Sequence, residues 1–285
     1  TLGAAAATGG VTAALAGTKA TVTTGSGKDV IDVAAVVGVV KVSTGAGNDT
    51  VKVGAATIDG SSSFDGGDGR DTIQITDGAK LTAAAGKLFT NFEVLATGTG
   101  QNNYDLANIA GIDTVLVDGA LAGTTAINNV TTQSVVIAAN QSGSVLTVNL
   151  KDSSGTNDAL TVTLDNQNTS ATTFNKAGVS VAAGSLVTTG VENLTLKSAG
   201  VITGANATTP GTANSVTLNA GDLALKTLTI TGDQAINVTT GAIAANLTKI
   251  DASAATGKVG IDASLAAGAL SILGGSGADT ISSGA

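Results

Sequence analysis

The chain has 285 residues, 42% of them hydrophobic, with 13 basic residues against 21 acidic ones and a formal net charge of −8. It holds no Cys, His, Met or Trp, which excludes disulfides and thiolate metal sites and removes both the usual zinc ligand and the commonest general base. Arg70 is its one arginine, so the clustered cations that nucleic-acid phosphates need are missing, and no run of about 18 apolar residues offers a membrane span.

Only 2% of the chain is aromatic and Pro210 is its one proline. A core must therefore be layered from Val, Ile, Leu and Ala, which suits a thin, repetitive cross-section. Nineteen of the acids are Asp, the exceptions being Glu93 and Glu192. That bias favours turns, where the short carboxylate folds back on its own backbone.

In chain order, three stretches align without gaps: TGSGKDVIDV from Thr24 to Val33, TGAGNDTVKV from Thr44 to Val53, and GGDGRDTIQI from Gly66 to Ile75. Each reads Gly, any residue, Gly, any residue, Asp, any residue, then Val or Ile. The pattern matches a calcium-binding nonapeptide of parallel β-helices. Nine residues make half of a flattened coil, so a full rung takes roughly 18. Asp29 and Asp49 are 20 residues apart and Asp49 and Asp71 are 22, which fits one such turn per rung with a longer, ion-free return on the opposite edge. Stacked rungs bring successive turns to about 4.8 Å. Calcium takes about six to eight hard oxygens, and glycines let the backbone aim carbonyls inward. The candidate ligands are the carboxylates of Asp29, Asp49 and Asp71, with Thr24, Ser26, Gly27, Thr44, Ala46, Gly47, Gly66, Asp68 and Gly69 of the same turns. The Val or Ile two residues after each Asp is expected to face the core. Stacked carboxylates repel one another, so folding and ion binding should be coupled.

Residues 79–89, AKLTAAAGKLF, are the best helical candidate, a short cap or excursion. The stretch TGTGQNNYDL keeps Gly98 and Gly100 but places Asn102 where the acid belongs. SSGTNDALTV keeps Asp158 with its glycine shifted to Gly155; Asn102 and Asp158 each read equally as a ligand or an Asx turn. From Gly98 on, short alternating runs such as SVLTVNL, ALTVTL, VENLTL, SVTLNA, KTLTITG, QAINVTT, LTKIDAS and KVGIDAS predict strands separated by Asn, Asp, Gly and Thr turns. A fourth full copy, GGSGADTISS, supplies Gly274, Ser276, Gly277 and Asp279 as further candidate ligands. Glu93, Asp152, Glu192, Asp251 and Asp262 sit at strand edges too; any of them could ligate calcium, but solvated turn residues are the better reading.

The predicted fold is all-β, an elongated parallel β-solenoid or β-roll. Residues 1–97 form a calcium-binding roll, and 98–285 a less regular solenoid ending at the start of a second calcium segment; a boundary within 97–130 fits as well. The start at Thr1 and the stop after GGSGADTISSGA read as a piece of a longer protein. Five aromatic residues and no carboxylate cluster point away from an enzyme.

The three N-terminal motifs, followed by NFEVLATG, GVENLTLKSAG and LTKIDASAATG, resemble secreted RTX proteins of Gram-negative bacteria. The resemblance is to the surface-layer branch, and within it to the C-terminal lattice domain, over most of residues 20–285. It implies type I secretion, an extracellular location on the bacterial cell surface, and folding driven by Ca2+ after export. It also implies self-assembly into a two-dimensional S-layer lattice, and anchoring to lipopolysaccharide through a part not present here. Lys28 and Arg70 depart from the neutral or acidic residues common at the fifth motif position. A calcium-rigidified adhesin stalk and the RTX tail of a secreted hydrolase are the alternatives.

Overall fold

The computed structural model describes residues 1–54, 58, 60–141, 143–165, 180–200, 213–219, 224–241, 246–266 and 268–284. The chain is all-β, 4% helical, with parallel strands forming a β-solenoid of about 11 turns. It divides into two compact units, Thr1–Ala122 and, for the most part, Gly123–Ala285.

In the first unit one column of parallel strands runs Thr12–Thr23, Val30–Ser43, Thr50–Val53, Thr72–Ile75, Val94–Ala96 and Thr114–Val117. Its register places Val30 beside Thr50, Thr50 beside Thr72 and Thr72 beside Val94. Each motif turn therefore belongs to its own rung, as the 20- and 22-residue spacing predicts. Between Asp29 and Thr44 the chain forms one continuous strand of 14 residues, Val30–Ser43. Its far end pairs with Ser63–Asp65, which in turn pairs with Phe89–Thr90. Alternation along the strands sends Ile31, Val51 and Ile73 inward, each fully buried. Complete burial of such a side chain is worth about 1.5–3 kcal/mol. Phe64 and Phe89 stack on the return side with ring centroids 5.1 Å apart.

The helical candidate is real but shorter than its pattern. A 3-10 turn covers Gly78–Lys80, and the helix proper covers only Ala83–Gly86. Thr82 caps it by accepting a hydrogen bond from the Ala85 N–H. Gly86 lies so close to the Asn108 carbonyl that it leaves no room for a side chain.

The second unit has two columns. One runs Ser134–Ile137, Ala159–Asp165, Asn193–Ala199, Thr227–Gly232, Lys249–Ala255 and Ser271–Leu273. The other runs Thr124–Val130, Val145–Leu150, Ala182–Val187, Asn214–Leu218, Ile236–Thr240, Val259–Ala263 and Thr280–Ser283. Every alternating run predicted here is a strand. Ile281, at the same motif position in the last described strand of its column, is 44% exposed, unlike Ile31, Val51 and Ile73. No helix among the described residues is long and apolar enough to cross a membrane.

Candidate metal centre

In the first unit the turns 24–29, 44–49 and 66–71 each lead into the strand column that begins at Thr12–Thr23, and they stack directly on one another. Ala46 N–H donates to the Gly25 carbonyl and Asp68 N–H to the Gly45 carbonyl, both at 2.8 Å. The glycines make this approach possible. A methyl group on Gly45 would overlap the Gly25 carbonyl oxygen, and one on Gly67 would overlap that of Gly45. Gly45 and Gly67 also sit at φ 92° and 87°, where other residues are strained.

The three motif aspartates form a ladder one rung out of phase. Val11 N–H donates to Asp29 Oδ1 at 2.6 Å, Asp29 N–H to Asp49 Oδ1 at 2.7 Å, and Asp49 N–H to Asp71 Oδ1 at 2.7 Å. One oxygen of each carboxylate thus caps the rung before it. The other oxygen, Oδ2 of Asp29, Asp49 and Asp71, is buried with no hydrogen-bond partner. All three residues are at most 1% exposed. An unpartnered buried polar atom costs about 1–3 kcal/mol, and more if charged. Burial accordingly pushes the Asp71 carboxyl up to about 7, outweighing the Asp49 N–H that stabilises its anion, while the Asp49, Glu93 and Asp65 charges add to the rise. Asp49 is raised by burial in the same way.

These residues fit a hard divalent cation. The orphaned oxygens lie at the positions the motif assigns to ligands, inside turns whose glycine columns keep side chains away from stacked main-chain carbonyls. Among the described residues no three acidic side chains converge on one point, so an ion held here would take most of its oxygens from the backbone. Thr24 and Thr44, which begin the first two motifs, point their hydroxyls along the stack. Thr24 Oγ1 donates to the Thr44 carbonyl at 2.9 Å and Thr44 Oγ1 to the Gly66 carbonyl at 2.7 Å. Each such carbonyl keeps a second lone pair. The Asp68 side chain is exposed, and its carbonyl accepts from Gly47 N–H at 2.8 Å.

The remaining candidates lie elsewhere. Asn102 follows the strand Val94–Ala96 instead of preceding it, so it sits on the return edge, away from the aspartate ladder. It adopts φ 63° and its Nδ2 donates to Asp77 Oδ1 at 2.7 Å, as a turn residue does. Asp158 is in the second unit and precedes Ala159–Asp165; its Oδ2 is also buried without a partner. Asp279 follows Ser271–Leu273 and precedes Thr280–Ser283, the opposite edge of that unit from Asp158. Both its oxygens are engaged, Oδ1 by Val259 N–H at 2.9 Å and Oδ2 by Gly275 N–H at 2.6 Å. Gly277 packs against Lys258 and Ser276 N–H donates to the Ala255 carbonyl at 3.0 Å.

The preferred sequence reading of Glu93 and Glu192 as solvated turn residues is corrected by their backbone partners. Glu93 continues the first unit's ladder, its Oε2 accepting from Asp71 N–H at 2.8 Å. Glu192, only 7% exposed, does the same for Asp158 N–H at 2.8 Å. Their shared signal is a buried apolar residue just before the acid, Phe92 and Val191, and then a strand. The short turn Asn91–Glu93 replaces a six-residue motif turn, and the extra methylene of glutamate supplies the reach that an aspartate would lack. Asp113 takes the next acid position but turns outward to Arg70, which grips it with Nη2 to Oδ1 at 2.7 Å and Nη1 to Oδ2 at 2.8 Å. That pairing holds the Asp113 carboxyl below its usual range.

No family model matches the chain, and no curated protein matches it.

Proposed function

We propose that this chain is a structural, calcium-dependent β-solenoid, the lattice-forming portion of a secreted bacterial S-layer protein. One observation carries the calcium reading: three consecutive buried aspartates, each with one oxygen satisfied by the neighbouring rung and one without a protein partner. A bound Ca2+ would neutralise these charges and complete the oxygens' coordination. Thr24, Ser26, Gly27 and Asp29 would hold it with their counterparts Thr44, Ala46, Gly47, Asp49, Gly66, Asp68, Gly69 and Asp71. The chain's own residues do the rest. The Oδ1 atoms fix each carboxylate against the preceding rung, and the glycines let adjacent turns close to hydrogen-bonding distance. The assignment to an S-layer, with self-assembly at the cell surface after type I export, draws on the sequence resemblance.

The test is a calcium titration of the EGTA-stripped chain with far-UV circular dichroism and light scattering followed together. Both signals are expected to rise with calcium and not with magnesium. A rise in β-signal without particle growth favours a monomeric adhesin stalk, and no response from either rejects the calcium reading.

A further inference from the structure

Two places in the molecule repeat one arrangement that the motif does not describe. In the first unit Glu93 Oε2 takes the Asp71 N–H, and both the Glu93 and Val94 N–H groups donate to the Asp71 carbonyl, at 3.1 and 3.0 Å. In the second unit Glu192 Oε2 takes the Asp158 N–H, and the Glu192 and Asn193 N–H groups donate to the Asp158 carbonyl, at 3.1 and 2.9 Å. Each aspartate keeps a buried Oδ2 with no partner, and Asp71 is fully buried. Both orphaned oxygens lie against a glycine where a side chain would crowd the carboxylate. A methyl group placed on Gly66 would lie 3.0 Å from Asp71 Oδ2 and overlap the carbonyl of Asn91, in the turn that carries Glu93. One placed on Gly155 would lie 2.9 Å from Asp158 Oδ2.

We infer that Glu93 and Glu192 are each the second carboxylate of a divalent-cation site, paired with Asp71 and Asp158 respectively. The Glu93 turn is only three residues long and the Glu192 turn lacks the first motif glycine, so each offers fewer main-chain oxygens than a Gly-x-Gly-x-Asp turn, and a second carboxylate makes up the difference in charge and ligand number. One oxygen of each glutamate caps the aspartate N–H while the other is available to the ion. The inference rests on the calcium reading above and adds to it one ion per unit.

The experiment is equilibrium dialysis of the full chain against calcium, counting bound ions at saturation for the wild type, Asp49→Asn, Glu93→Gln, Glu192→Gln and the double glutamine variant. Glutamine keeps an oxygen for the N–H cap and removes the charge, so the turn retains its hydrogen bond; circular dichroism in excess calcium checks that it does. Each single glutamine variant is expected to lose one bound ion and the double variant two. Because the two residues lie in different units, misfolding of one variant leaves the other informative. A double variant that binds as many ions as the wild type, while Asp49→Asn binds fewer, overturns this inference and leaves the calcium reading standing. A wild type that binds none overturns both.

Discussion

The entry edge of the first unit and the return edge of the second solve one packing problem with different chemistry. In the first, Asp29, Asp49 and Asp71 reach back to cap the preceding rung and leave one buried oxygen each unsatisfied. In the second, Asn214 occupies the equivalent place. Its Oδ1 accepts from Val181 N–H at 2.7 Å, as an aspartate's would. Its Nδ2 then donates to the Leu164 and Ala199 carbonyls and to Ser198 Oγ, at 3.3, 3.1 and 3.0 Å. A neutral amide carries its own donors and completes itself inside the protein, whereas the carboxylates of Asp29, Asp49 and Asp71 can only accept, and no N–H reaches their second oxygens. One edge is thus satisfied by the chain alone, and the other keeps buried oxygens unmet.

Four measurements sharpen or break this contrast, beginning with the largest effect. Gly67→Ala combines a φ of 87° with a direct overlap on the Gly45 carbonyl, and should destabilise the first unit by about 3 kcal/mol or more. Gly123→Ala in the second unit shares the positive φ but meets nothing within 4 Å, and should cost about 1 kcal/mol. Equal losses in denaturant melts would show that stacking closeness is irrelevant. Next, Asn214→Ala should cost about 2–3 kcal/mol by stranding the Val181 N–H and two carbonyls. That loss should be the same in EGTA and in calcium, whereas the loss from Asp49→Asn should depend on the ion.

The third is a pH series on the ion-free chain. Asp71, raised to about 7, holds its proton in the folded state where the unfolded chain has released it. Its contribution is present at low pH and lost as pH rises through about 7, so the first unit should gain stability on acidification from pH 8 to 5. In the second unit Asp152, Asp251 and Asp262 are depressed, chiefly by hydrogen bonds from Ser154, Ser253 and Ser264. Their stabilisation is present above the ordinary aspartate range and fades below it, the opposite sign in a lower window. Hydrogen exchange resolved by unit reads both trends, and matching trends would refute the distinction. The smallest effect is Arg70→Ala. The Arg70–Asp113 pair is about half exposed, so its loss should cost no more than about 1 kcal/mol and shrink further in high salt.

Sequence and structure agree where local chemistry repeats. The spacing of Asp29, Asp49 and Asp71 predicted one turn per rung because rung length is set by strand geometry, and alternation placed Ile31, Val51 and Ile73. Two other features were not legible. Asp279 stands in a full copy of the motif and Asn102 in one that keeps only the glycines, but the edge of each depends on how many strands have been counted before it, a property of the whole coil. Glu93 was missed because no glycine announces its turn, and Glu192 because only Gly190 of the usual pair stands before it and the acid is not an aspartate. Only the stacked register reveals that a glutamate, preceded by a buried Phe92 or Val191, stands where an aspartate stands elsewhere.

The out-of-phase ladder also bears on how such a chain changes length over time. Every cap is delivered by the rung that follows, so a block running from one acid to the next, such as Asp29 to Asp49, carries both a group that needs a partner and a partner for the group before it. Duplicating or deleting that whole block leaves every remaining N–H with an acid twenty or so residues downstream. Removing half a block shifts strands onto the wrong face and orphans the join. Heritable changes that preserve the fold should therefore come in whole-rung steps.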